Sequence, residues 1–271
     1  MSRRILHMSD LHFGAGAGQN DPAVGAPFED LIERVDPALV IVSGDLTHLG
    51  RSAQHAAAAR FLRGLRRPLL VVPGNHDVPF TFPTRLTAPW RRFEHEWGTT
   101  RPVFSNGEIQ VVGLNSVRPW RHQSGRVGPA WLTEATDRLR EGAPGALRIA
   151  VLHHQLAAAP WRGRKRPLAR RHHVLRELVH AGAELIVGGH VHQGTITERH
   201  EFEVASAGAP GVVITTAPGL TRPRPRRLGE ARGVLVYDAD DHRVGIETHT
   251  FRNDRWERTA IRTFSRSAAP L

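Results

Sequence analysis

Five short apolar runs, each ending in a turn that carries carboxylates, imidazoles or an amide, do most to constrain what this chain can fold into. Ile5-Leu6-His7-Met8 leads to Asp10-Leu11-His12, and Leu39-Val40-Ile41-Val42 leads to Gly44-Asp45. Leu69-Leu70-Val71-Val72 leads to Gly74-Asn75-His76-Asp77, Ile149-Ala150-Val151-Leu152 to His153-His154, and Leu185-Ile186-Val187 to Gly189-His190-Val191-His192. The runs are continuous rather than alternating, the pattern of strands covered on both faces. Helical patterns separate them, over Pro27 to Val35, Ser52 to Leu65, Pro129 to Leu139 and Leu168 to Ala181. Strand, helix and strand in this order predict βαβ units and a parallel sheet. The turns that follow parallel strands gather at one edge of such a sheet, so the five polar blocks should converge on one crevice.

After His192 come further strand candidates, over Gly194 to Glu198, Val212 to Thr216, Val234 to Tyr237 and Val244 to Thr250. They predict a second sheet stacked on the first. The expected fold is a layered α/β/β/α sandwich of two stacked mixed sheets flanked by helices. At 271 residues, with no Pro/Gly/Ser linker between cores, the chain reads as one domain over 1–265 and a short tail over 266–271.

Composition removes several classes. The chain has no cysteine, which excludes disulfides, thiolate metal sites and cysteine nucleophiles and fits a reducing compartment. No apolar run approaches the roughly 18 residues of a membrane span. The stretch after Met1-Ser2-Arg3-Arg4 runs straight into Asp10 and reads as a strand rather than a signal peptide. A cytoplasmic protein is the expectation. A Walker phosphate loop fails because Lys165 is the only lysine, and no Gly-x-Ser-x-Gly elbow occurs. Gly14 to Gly18 lacks the last glycine of a dinucleotide loop, Gln19 standing in its place.

The polar blocks suit a pair of divalent cations. Two such ions, held by Asp10 and Asp45 with a hydroxide between them and otherwise neutral His and Asn ligands, keep a single net positive charge. That charge matches a phosphodiester monoanion. Asn75 would donate an amide oxygen without cancelling more of the positive charge. One carboxylate must bridge ions about 3.5–4 Å apart, and Asp45, lying between the first and third blocks, is the candidate.

These blocks, in this order, resemble the calcineurin-like metallophosphoesterases from at least Met8 to His192. Within them the chain is most similar to the bacterial class III cyclic-nucleotide phosphodiesterases, through Ser9-Asp10-Leu11-His12-Phe13-Gly14, Gly44-Asp45-Leu46-Thr47 and Gly113-Leu114-Asn115-Ser116. The resemblance implies one ion on Asp10, His12, Asp45 and His192, and another on Asp45, Asn75, His153 and His190. It implies Mn, Fe, Zn or Co as the metals, and in-line attack of a bridging hydroxide on a phosphodiester such as a 3',5'-cyclic nucleotide. His76 would donate to a phosphoryl oxygen or to the leaving group, and Asp77 would orient it. The family's His-His-Pro-Pro is here His153-His154-Gln155-Leu156. The missing prolines predict a looser loop and leave either histidine as the ligand, with His153 the family's position.

Other readings stay open. The substrate class extends to glycerophosphodiesters, nucleotide-sugar lipid pyrophosphates, phosphomonoesters and DNA. A scaffold without catalysis is the remaining alternative, although no ligand is missing. The net charge of +11 is spread as arginine through the chain and argues for a small anionic substrate rather than nucleic acid. Two clusters stand out, Arg162 to Arg166 and Arg222 to Arg227; each reads as a solvated loop, or as help in capturing an anion. The segment Val78 to Val103, with Trp90 and Trp97, predicts a helical lid, while Trp120 and Trp161 fall in loops. His55, His95, His122, His172, His173, His180, His200, His242 and His249 fit helix faces or loops better than a ligand set. The oligomeric state is open, a homodimer included.

Overall fold

The computed structural model describes residues 3–15, 21, 25–121, 123–157, 165–200, 211–220 and 230–266. Two six-stranded sheets face each other. In the first sheet, β1 (Arg4–Met8), β2 (Leu39–Val42) and β3 (Leu69–Val71) run parallel. The sheet continues from β1 with the antiparallel β10 (Gly233–Ala239), β11 (Arg243–Arg252) and β12 (Arg255–Ser265). The second sheet has four parallel strands, β5 (Ile109–Leu114), β6 (Leu147–Leu152), β7 (Leu185–Gly188) and β9 (Gly211–Thr216). Antiparallel edges β4 (Val103–Ser105) and β8 (Thr195–His200) close it.

Alternation along each strand explains why the runs are apolar throughout. In β1, Ile5 packs in the layer between the sheets while Leu6 and Met8 pack under the helices outside. The inter-sheet layer also takes Ile41, Val72, Val111, Ile149, Val187 and Leu235. Helices α1 (Ala26–Val35) and α2 (Ser52–Gly64) cover the outer face of the first sheet. Helices α5 (Pro129–Arg140) and α6 (Arg171–His180) cover the second. In α1 the buried residues are Phe28, Leu31, Ile32 and Val35, at the 3–4 spacing of one helix face. The result is the expected α/β/β/α sandwich.

One expectation needs correction. The strands after His192 do not build a sheet of their own. β8 and β9 join β7, whereas β10 to β12 extend the first sheet from β1. Hydrophobic pattern locates strands but does not say which neighbour each will pair with. The segment over 78–103, expected as a helical lid, is helical in part. Its helices α3 (Thr84–Thr87) and α4 (Arg91–Trp97) are short, and α4 lies on α2 with Phe93 fully buried and the Arg63 guanidinium over the Trp97 ring. After β12, Arg266 binds both carboxylate oxygens of Glu184 and the carbonyls of Asp240 and Gly145, and 267–271 lie outside the described residues. Among the described residues no helix is long and apolar enough to cross a membrane.

Candidate metal centre

All five blocks meet beyond the ends of β1, β2, β3, β6 and β7. Two sets of donor atoms that include a carboxylate form there, Asp10, His12 and His192 in one and Asp45, His153 and His190 in the other; a third group, His12, His48 and His76, has none. In the first, His192 Nε2 lies 3.1 Å from Asp10 Oδ1 and 3.2 Å from His12 Nε2. In the second, His153 Nε2 lies 3.1 Å from both His190 Nδ1 and Asn75 Oδ1, and 3.4 Å from Asp45 Oδ2. The same Asp45 oxygen is 3.8 Å from His12 Nε2, so it stands between the two sets.

These spacings bear on whether the residues fit a metal. Ligands about 2.1 Å from one ion lie about 3.0–3.4 Å from each other; most spacings here fall in that range, and His12 Nε2 stands further off, 3.8 Å from Asp10 Oδ1 and from Asp45 Oδ2. Lone pairs that close repel unless a cation or proton lies between them. Both carboxylates divide their oxygens in the same way: Asp10 Oδ2 accepts from the His190 N–H and Asp45 Oδ1 from the His76 N–H. Their other oxygens are buried, with no conventional hydrogen bond, and face the imidazoles. Burial pulls the His153 pKa down, but the Asp45 and Asp10 carboxylates and the Ser43 carbonyl outweigh it and raise it to about 9. Burial likewise opposes ionisation of Asp10 and Asp45, and the neighbouring histidines nevertheless hold both carboxyls below the usual range. The donor set fits divalent cations.

The backbone that aims these groups is unusual. Asp10, His12, Asp45, His190 and His192 all have positive φ, between 45° and 73°. Non-glycine residues visit this region seldom, and when they cluster at one place the strain marks a functional site. Close approach demands glycine at two of the turns. A Cβ on Gly74 would collide with Asp45 N and Oδ1, and one on Gly189 with Ser9 Oγ.

His153 and His154 part company. His153 joins the cluster, while His154 Nδ1 pairs with Ser116 Oγ at 2.9 Å. The loop after them is held without prolines: Leu156 is buried in the core, and the Gln155 carbonyl accepts from Leu168 N. His76 is only half-buried, with its ring edge-on to His12 at 4.8 Å. Its Nδ1 meets the His48 carbonyl at 2.8 Å, so the orienting contact expected of Asp77 comes from His48 instead. Asp77 accepts from Leu46 N, Thr47 N, Gly74 N and the Thr47 hydroxyl, which ties the second and third blocks together. Burial raises its pKa, and those bonds oppose the rise.

His48 escaped the sequence reading because it lies just past the Gly44-Asp45-Leu46-Thr47 block; its ring stacks on His76 with centroids 5.9 Å apart. Lys165 was noticed only as part of a basic cluster, yet its Nζ donates to the His190 carbonyl. Arg162 to Arg164, Trp161 and Arg222 to Arg227 lie outside the described residues. Trp120 is exposed beside Arg118.

With this geometry in place, comparison with known proteins assigns the family. Residues 3–194 match the family model of the calcineurin-like phosphoesterases. The chain belongs to that family. It is 27% identical over 221 residues to the glycerophosphodiester phosphodiesterase GpdQ of Enterobacter lignolyticus, a match covering 76% of each chain. It is 31% identical over 134 residues to a probable cyclic nucleotide phosphodiesterase of Rhodopseudomonas palustris, covering 47% of this chain and 40% of that relative. A dimetal phosphatase from Danio rerio superposes with a TM-score of 0.64 over 98% of this chain and 100% of its own, at 13% identity, a likeness of fold. The protein is a metal-dependent phosphoester hydrolase.

Proposed function

We propose that this enzyme hydrolyses small phosphodiesters at a centre of two divalent ions, with Asp10, His12, Asp45 and His192 holding one and Asp45, Asn75, His153 and His190 the other. The observation that carries this reading is the position of Asp45 Oδ2, within 4 Å of imidazole nitrogens from both sets. When bound, the two ions would supply Lewis-acid stabilisation of the phosphoryl oxygens and an activated water nucleophile. The rest falls to the chain. His76 is half-buried beside His12 with Nδ1 tied to the His48 carbonyl, which leaves Nε2 as the ring nitrogen to serve the substrate. It donates a proton to a phosphoryl oxygen or to the departing alkoxide. Asp77 clamps the two loops that carry Asp45 and His76.

Diesters are favoured over monoesters for two reasons. A centre with one net positive charge matches a monoanion, and the two curated relatives above carry phosphodiesterase names. Cyclic nucleotides and glycerophosphodiesters are the leading substrates within that class. The metals are Mn, Fe, Zn or Co, since oxygen and imidazole donors suit all four.

The test is a panel of cyclic nucleotides, glycerophosphodiesters, aryl diesters and aryl monoesters assayed with added Mn²⁺, alongside metal analysis. Two ions per chain and faster turnover of diesters are expected. A single tight ion that persists in Asn75→Ala would sink the two-ion reading, and preference for monoesters would sink the substrate class.

A further inference from the structure

Beneath the metal centre a line of polar side chains crosses the apolar layer between the sheets. Thr215 Oγ1 on β9 lies 2.6 Å from the hydroxyl of Tyr237 on β10, the only tyrosine in the chain. That hydroxyl lies 2.8 Å from His7 Nδ1 on β1, and His7 Nε2 lies 2.9 Å from Ser43 Oγ at the end of β2. The Ser43 carbonyl in turn lies 2.8 Å from His153 Nδ1. No member is more than 1% exposed.

We infer that His7 is a positioning residue for the ion on Asn75, His153 and His190, acting by fixing the Ser43 turn whose carbonyl sets the tautomer of His153. The inference rests on the two-ion reading above and adds a residue that reading does not use.

Chemistry gives the line a direction. A carbonyl oxygen only accepts, so neutral His153 must carry its proton on Nδ1. Its Nε2 lone pair then points at Asn75, Asp45 and His190, the orientation a ligand needs. Ser43 is the hinge of that arrangement. The two residues after it, Gly44 and Asp45, have φ of 93° and 54°. A turn of that kind persists only when its surroundings hold it. The Ser43 N–H is anchored on the Met8 carbonyl at 3.0 Å, and the side chain is anchored on His7. Loosening the second anchor would disturb His153, which serves one ion, and to a lesser degree Asp45, which serves both. Burial keeps His7 neutral, so one of its nitrogens donates and the other accepts. The Tyr237 and Ser43 hydroxyls are therefore ordered in complementary senses. Packing alone would be met by an apolar residue at position 7, since removing both partners of a buried hydrogen bond can be nearly neutral.

The experiment measures Mn²⁺ binding to the full chain by equilibrium dialysis, with His7→Phe, His7→Gln, Tyr237→Phe and Val213→Ala. Val213 is buried in the same layer but has no place in the polar line. His7→Phe should weaken the ion on His153 about tenfold, the scale for loss of a partner behind a ligand, and the other ion clearly less. His7→Gln puts an amide near the position of Nε2 and should restore most of the affinity. Tyr237→Phe should give a smaller loss in the same direction. Val213→Ala should lower the melting temperature without moving either isotherm.

Equal weakening in Val213→Ala and His7→Phe would make the line merely structural and overturn the inference, as would an unaltered isotherm in His7→Phe. Wild-type protein that binds a single Mn²⁺ would overturn the two-ion reading instead. Imidazole ¹⁵N spectra of metal-free protein at alkaline pH test the positioning apart from metal. They should show one His153 tautomer in wild type and a mixture in His7→Phe; one tautomer in both would reject the role of His7.

Discussion

The two donor sets are made of similar groups but sit in unlike surroundings. His12 and His192 are each 7% exposed, whereas Asn75, His153 and His190 are exposed by no more than 1%. The open set borders the half-buried His76 and His48, although each set has a ring nitrogen without a hydrogen-bond partner, His12 Nδ1 and His190 Nε2. The sealed set has its central imidazole braced from behind by the Ser43 carbonyl. Ligand identity alone therefore does not decide how firmly each ion is held. The open set should exchange its ion readily with solvent, and the sealed set should bind more selectively and release more slowly.

The sharpest way to break that contrast is to remove what the sets share. Asp45→Ala should cost about 10⁴-fold or more in turnover, the scale for residues that act as a unit, and metal analysis should show both ions weakened. Retention of both ions would mean that Asp45 is not shared. Next in size is His76→Ala, which should keep both ions and lower turnover by about 10²–10⁴-fold, the range for a positioned proton donor. A loss that grows with the pKa of the leaving group would assign the proton to the departing alkoxide, and lost metal would make His76 a ligand. Single-ligand variants then separate the sets: Asn75→Ala should lose the sealed ion and His12→Ala the open one, each leaving a stoichiometry near one.

The smallest effect concerns pH. Burial depresses the His7 pKa from 6.5 to about 3, against the pull of Asp10. The unfolded chain thus takes up a proton below pH 6.5 that the folded chain refuses. Stability of the metal-free protein should fall as pH drops from 6.5 toward 3, by at most about 1.4 kcal/mol per pH unit from this group. His7→Gln should flatten the slope in urea unfolding curves, and an unchanged slope would show that His7 does not contribute.

Much of this was legible in the sequence. Continuous apolar runs followed by polar turns located β1, β2, β3, β6 and β7 and named the residues that meet beyond them. The two-layer sandwich was expected from the strands after His192, which in the structure divide between the two sheets. What stayed hidden depends on tertiary placement. The pairing of β10 with β1 is set by the packing of whole sheets, and β12, which alternates with mostly exposed residues, left no apolar run to read. The family resemblance made Asp77 the partner of His76, but backbone direction hands its carboxylate to the amides of Leu46, Thr47 and Gly74. Five left-handed residues at the site contradict local preference, and only the surrounding structure makes that conformation tolerable.

The seating of β1 between β2 and β10 also has a consequence for how the chain is made. Ile5 leaves the ribosome well before its partner Tyr237, which lies 232 positions later in the chain (237 − 5). Until that stretch emerges, β1 presents an unpaired edge beside a nearly complete set of metal ligands. Such long-range closure is slow and leaves strand edges open to wrong partners. Maturation of this enzyme should therefore be limited by its C-terminal strands, and ions arriving earlier would find a half-walled site.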